Sequence, residues 1–148
     1  MEKISPFILN VVTLGVSDFL RSVAFYEALG LTRKLKATGD QIAFFDAGGV
    51  VLALFRWDML AEDAQIQANP RPPGFRGTTL AHMCRSDAEV DAVMAHALSI
   101  GARLLKAAHE TSYGGYSGYF ADPDGHPWEA VRAPGFSFFP DGRVMLAA

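Results

Sequence analysis

"VVTLGVSDFLRSVAFYEALGL", residues 11–31, begins as an apolar strand, pauses at Ser17-Asp18 and continues as an amphipathic helix. Phe19, Val23, Tyr26 and Leu29 recur at helical spacing and make one apolar stripe. Gly30 ends the helix, because glycine takes the left-handed conformation that closes a helix. The same plan returns in "TTLAHMCRSDAEVDAVMAHALSIGA", residues 78–102. There an apolar run meets Ser86-Asp87, a stripe of Val90, Val93, Met94 and Ala97 follows, and Gly101 stops it. Ser86 with Glu89 three residues on is a capping-box pattern, in which hydroxyl and carboxylate satisfy unpaired helix amides. Aligning Asp18 with Asp87 gives a repeat of 69 positions (87 − 18) in a chain of 148 residues.

Three strand candidates follow each helix: 31–36, 41–46 and 50–55 in the first half, and 103–107, 116–121 and 128–131 in the second. "FFDAGGVVLAL" (44–54) lies over "FADPDGHPWEA" (120–130) without a gap, pairing Asp46 with Asp122, Gly49 with Gly125 and Ala53 with Glu129. Each half therefore reads β-α-β-β-β. A unit that small cannot cover both faces of its sheet, so two are expected to pack together. The fold class predicted is α+β, with two tandem βαβββ modules forming a cupped mixed sheet. We expect one domain over 1–148: module one about 7–56, a linker about 57–77, module two about 78–132 and a tail over 133–148. The linker opens with a short helix candidate and ends in the breaker-rich "NPRPPGFRG". The aromatic tail "PGFSFFPDGRVMLAA" is expected to pack on its own domain or a neighbouring subunit.

Half of the residues are hydrophobic and a fifth charged, which is globular composition. A net charge of −3 leaves no basic footprint for nucleic acid. Cys84 is the only cysteine, which rules out an intrachain disulfide or a multi-thiolate cluster. No apolar run reaches transmembrane length, and the early apolar run is short and proline-broken, so no membrane partner and a cytoplasmic location are expected.

"VTLGVSDFLRSVAFYEALGL" and "GYFADPDGHPWEA" resemble the signature segments of the vicinal oxygen chelate superfamily, which includes glyoxalase I, bleomycin-resistance proteins and extradiol dioxygenases. The resemblance covers nearly the whole chain. It implies the fold more narrowly than the reaction, since the fold hosts lyases, isomerases, dioxygenases and non-catalytic drug binders. It also implies a homodimer. In metal-dependent members the first and last strands of each module supply His, Gln or Glu to a divalent metal, which polarises a chelating substrate. Carried over, those positions fall at Val11, Ala53, Leu80 and Glu129. Three are apolar and offer no lone pair, so no metal cofactor is expected. A divalent metal enters by family resemblance only.

Glu129 is then open to three roles: catalytic base, anchor for a polar ligand group, or solvated strand acid. His82, two residues beyond Leu80, is a candidate partner for it as support for a base or in a displaced metal site. Cys84 continues the same alternation as a small buried hydrophobe. Phe55, Trp57, Tyr113, Tyr116 and Trp128 are candidates to stack on a flat small-molecule ligand, or else ordinary packing residues. Arg56, Arg71 and Arg76 surround the linker and could meet an anionic group, or simply be solvated. His126 sits in the turn, near the expected rim. The function expected is small-molecule binding in the sheet cup without the usual metal. The alternative is a lyase, isomerase or dioxygenase that uses Glu129, with His82, as base.

Overall fold

The computed structural model describes residues 6–67 and 74–148. Module one runs β1 (Val11–Val16), α1 (Phe19–Leu29), β2 (Thr32–Lys34), β3 (Ile42–Asp46) and β4 (Val51–Arg56). A short helix, α2 (Trp57–Asp63), follows. Module two runs β5 (Leu80–Met83), α3 (Asp87–Ser99), β6 (Arg103–Glu110), β7 (Tyr116–Ala121) and β8 (Pro127–Arg132). The sheets have the matching orders β1-β4-β3-β2 and β5-β8-β7-β6. In each, the first strand runs parallel to the last and the other pairs are antiparallel. The fold is α+β, built from two βαβββ modules. Within the tail, β9 (Phe136–Phe138) and β10 (Val144–Leu146) form a hairpin. The Arg85 guanidinium lies 4.5 Å from the centre of the Phe138 ring, which ties this hairpin to module two. Arg71 lies outside the described residues.

The helix caps correct the repeat. Asp18 caps α1 by accepting from the Arg21 N–H at 3.1 Å. The residue doing the same for α3 is Ser86, which accepts from the Glu89 N–H at 3.1 Å. Glu89 reaches back to the Arg85 N–H, also at 3.1 Å. Asp87 is thus the first helical residue, where its charge suits the positive end of the helix. Cap to cap, the spacing is 68 (86 − 18), one less than the Asp-to-Asp spacing. Strand register agrees: Thr13 pairs with Ala53 and Ala81 with Glu129. The counterpart of Val11 is therefore Thr79, not Leu80.

The gapless match of the two hairpins also slips. Ala53 lies opposite Phe44, whereas Glu129 lies opposite Tyr119 and not Phe120. The second turn, 122–126, contains one residue more than the first, 47–50. That residue gives the turn two carboxylates, and both are used.

Asp122 organises the turn. Its Oδ1 accepts from the N–H groups of Asp124 (2.9 Å) and His126 (2.8 Å), and its Oδ2 from the Tyr26 hydroxyl (2.5 Å). Asp124 points across the module boundary, with a side chain wholly removed from solvent. It accepts from the Ser17 N–H (2.8 Å), the Ser17 hydroxyl (2.7 Å) and the Ser22 hydroxyl (2.8 Å), with Arg21 at 3.6 Å. The turn of module two is thereby fastened to the N-terminus of the helix of module one. Beneath it, Tyr26, Phe45, Leu54, Val90, Ala97 and Phe120 belong to one core shared by both modules.

Burial pushes the Asp124 carboxyl up, but the Ser17 amide, the two serine hydroxyls and Arg21 outweigh this and hold it below its ordinary value. Its contribution is present above the unfolded-state value of about 4 and is lost as pH falls below it. Asp124→Asn should lose about 1–3 kcal/mol at neutral pH, read as a lower urea midpoint at unchanged slope. The same variant should lose less further stability than the parent when the titration is repeated below pH ~4.

Candidate functional site

Strand alternation divides each sheet into two faces. In module one, Leu14, Val16, Leu52 and Leu54 turn into the shared core. Val11, Thr13, Gly15, Val51, Ala53 and Phe55 take the opposite, cup face. In module two, Glu129 shares the cup face with Ala81, Ser117 and Tyr119. Leu80, His82, Trp128 and Ala130 take the helix face.

Three of the expected site residues, His82, Trp128 and Tyr116, are therefore elsewhere. His82 cannot support Glu129, because the one-residue change of register puts it on the other side of the sheet. Its Nε2 lies 3.8 Å from Glu89 at the start of α3. Trp128 belongs to the interior: its Nε1–H donates to the Tyr26 hydroxyl at 3.0 Å and its ring stacks on Phe120 at a 4° interplanar angle. Burial first, and then Asp122, push the Tyr26 phenol well above its ordinary value, so it stays a neutral donor to Asp122. Tyr116 also faces the helix, donating to Asp91 at 2.8 Å, and Tyr113 is exposed at the preceding turn. Phe55 is on the cup face, half-buried opposite Gly15.

Glu129 is held by residues that the sequence reading passed over. The buried Ser117 hydroxyl donates to Glu129 Oε2 at 2.5 Å, and the Tyr119 hydroxyl forms a second hydrogen bond to the same carboxylate. Desolvation, followed by the Glu129 charge and that hydrogen bond, raises the Tyr119 phenol above its ordinary value. The signal was present in "YSGYFA", where Ser117 and Tyr119 alternate onto one face. Using it required the register opposite Glu129.

Tyr119 carries this pair to the wall of a cleft of about 910 Å3 between the modules. Trp57 forms part of its floor, against Gly15. Leu60 and Leu80 add apolar wall, and Phe75, Arg103 and Lys106 the rim. Lys106 is the register partner of Tyr119. The Arg76 guanidinium lies 4.9 Å from the Trp57 ring centre, a cation–π contact. It also donates to the Asp124 carbonyl at 3.2 Å and meets His126 Nδ1 at 3.1 Å. His126 Nε2 lies 2.7 Å from the Gly15 carbonyl. A neutral imidazole with its proton on Nε2 satisfies both partners, donating to Gly15 and accepting from Arg76. The turn that clasps α1 thus also orders one wall of the cleft.

The four positions of the family's metal frame now read Val11, Ala53, Thr79 and Glu129. One neutral hydroxyl and one carboxylate, the latter already accepting from two hydroxyls, do not match the donor set a divalent cation needs against water. The residues present do not fit the group.

Residues 8–130 match the Glyoxalase/Bleomycin resistance protein/Dioxygenase superfamily, and the chain belongs to that family. It is 30% identical over 122 residues to metallothiol transferase FosB of Lysinibacillus sphaericus (strain C3-41), covering 82% of this chain and 79% of that protein. Among solved structures, a glyoxalase-related enzyme from Fulvimarina pelagi superposes with TM-score 0.84 at 35% identity, over 95% of this chain and 99% of the other. A lactoylglutathione lyase from Agrobacterium tumefaciens superposes with TM-score 0.63 at 28% identity, over 88% and 96%. No helix among the described residues is long and apolar enough to cross a membrane.

A Cβ at Gly15 would sit 2.8 Å from Trp57 Cε3, so any larger residue must displace the indole. Gly15→Ala should cost about 1–3 kcal/mol and shift the tryptophan emission as Trp57 leaves its seat, both measurable in one urea titration followed by fluorescence.

Proposed function

We propose that this protein binds a small, largely apolar or aromatic molecule in the cleft between its modules, without the family's metal. The observation that carries this reading is the pairing of an apolar, indole-floored cleft with a metal frame whose ligand positions are filled by Val11, Ala53 and Thr79. Trp57 offers a stacking surface and the Tyr119 hydroxyl, oriented by Glu129, a polar contact. Arg103 and Lys106 on the rim favour a ligand that carries an acidic group. A homodimer accompanies this reading, because Leu104, Leu105, Met145 and Leu146 stand exposed on β6 and the C-terminal hairpin.

A panel of aromatic carboxylates, followed by quenching of tryptophan emission, tests the proposal. A binder should emerge, and Trp57→Leu should weaken it roughly tenfold or more while Trp128 still reports on the fold. Binding unchanged in Trp57→Leu would place the ligand elsewhere. Light scattering at micromolar concentration tests the dimer.

A second reading, an enzyme of the lyase or isomerase kind, is favoured by the Glu129–Tyr119 hydrogen bond and by the lyase and transferase named among its relatives. In it the Tyr119 phenol at the cleft wall takes the substrate proton as it passes its own to Glu129, which is the base acting through it. Glu129→Gln should then abolish turnover of any substrate found while leaving the urea midpoint near the parent's.

A further inference from the structure

Away from the cleft, on the helix face of module two, three donors of different chemistry converge. His82 and Cys84 are two residues apart, so the strand's alternation turns both to one side. Glu89, in the first turn of α3, reaches back over them. The His82 ring nitrogens, the Cys84 sulfur and the Glu89 carboxylate oxygens place one donor atom each within 4.8 Å of one another. His82 Nε2 and Glu89 Oε1 are already 3.8 Å apart.

We propose that His82, Cys84 and Glu89 form a binding site for a thiophilic divalent cation of the zinc class. An imidazole, a sulfur and a carboxylate make a mixed donor set suited to zinc or cobalt, and a poor one for magnesium or calcium. Tetrahedral zinc places neighbouring donors about 3.5 Å apart, so the three need close by only about 1 Å to meet one ion. The donors differ in exposure in a way that suits capture. The Cys84 sulfur is buried, while the His82 and Glu89 side chains are 56% and 37% exposed above it. An ion arriving from solvent meets the imidazole and carboxylate before the sulfur. On binding, the Cys84 thiol gives its proton to solvent as the sulfur–metal bond forms, and a water fills the fourth position. Glu89 remains able to cap, because Oε2 accepts from the Arg85 N–H and Oε1 is the oxygen nearest His82. The ion would join the end of β5 to the start of α3. It lies on the opposite side of the sheet from Glu129 and shares no donor with the cleft.

Cobalt(II) titrated into the full, reduced, chelator-stripped protein tests the site. We expect a thiolate-to-cobalt charge-transfer band that saturates at one ion per chain and is bleached by zinc, together with a rise in melting temperature. Cys84→Ser should lose the band. His82→Ala and Glu89→Gln should each weaken cobalt binding roughly tenfold or more, and both are expected to fold, since His82 is exposed and glutamine keeps the cap. Glu129→Gln should leave the cobalt titration as it is in the parent, since Glu129 is not among the donors. The proposal is overturned if the parent protein gives no charge-transfer band. It is equally overturned if the band survives undiminished in Cys84→Ser, or in both His82→Ala and Glu89→Gln, or disappears in Glu129→Gln.

Discussion

The insertion of Asp124 into the start of α1 is the contact on which the arrangement of the two modules depends. A carboxylate with no solvent exposure is stable only if its acceptors are used, and here two hydroxyls, one amide and a guanidinium do so. Every one of those donors belongs to module one, and the turn that offers the acid belongs to module two. Asp122 makes the insertion possible by holding the turn from within through two amides, while its other oxygen takes the Tyr26 hydroxyl. Tyr26 in turn accepts from Trp128. The chain Trp128–Tyr26–Asp122 is therefore a buried relay that crosses the boundary a second time.

The two modules are alike in topology and unlike at this point. The first turn, 47–50, is one residue shorter and holds no carboxylate; Asp46, the last residue of β3 before it, accepts locally from the Gly48 N–H at 3.1 Å. The turn has no acid to reach the cap of α3. The pseudo-symmetry of the pair is thus broken by a single inserted residue. That insertion also sets the cleft, since His126 and Arg76 are positioned by the same turn.

Strand, helix and stop signals made the modules legible, because each depends on local chemistry: apolar period, capping side chain and terminal glycine. Register was not legible. The Ser86–Glu89 capping box already names Ser86 as the cap, but aligning the two Ser-Asp pairs sets Asp87 against Asp18, one residue off the cap-to-cap spacing. The cap geometry, an extended Ser86 with its hydroxyl on the Glu89 amide, bears the capping box out and moves the alignment of the two modules by one residue. A one-residue slip turns every side chain of a strand to the other face. That is why aligning Leu80 with the metal frame matches His82 to Glu129, whereas Trp128, next to Glu129 in the same strand, faces away from it in either register. The slip also hid Ser117 and Tyr119, whose relation to Glu129 is a register relation and nothing else. Trp57 was within reach of the sequence because it follows directly on the last strand of module one.

Glu129 can now be understood by what its neighbours supply. An acid in a metal frame points its lone pairs at the ion, whereas here a buried serine and a tyrosine take two of the roughly four acceptor sites of the carboxylate. Those hydroxyls also turn the carboxylate from a point of attack into a fixed acceptor that orients Tyr119 toward the cleft. Whatever enters the cleft therefore meets the phenol first and the carboxylate only through it. A ligand group that accepts a hydrogen bond must compete with Glu129 for the tyrosine proton. A group that donates can pair with the phenol oxygen while the Glu129 bond stays intact. On the binding function proposed above, this polarity would select a ligand that presents a donor toward Tyr119 and its own negative charge toward Arg103 and Lys106 on the rim.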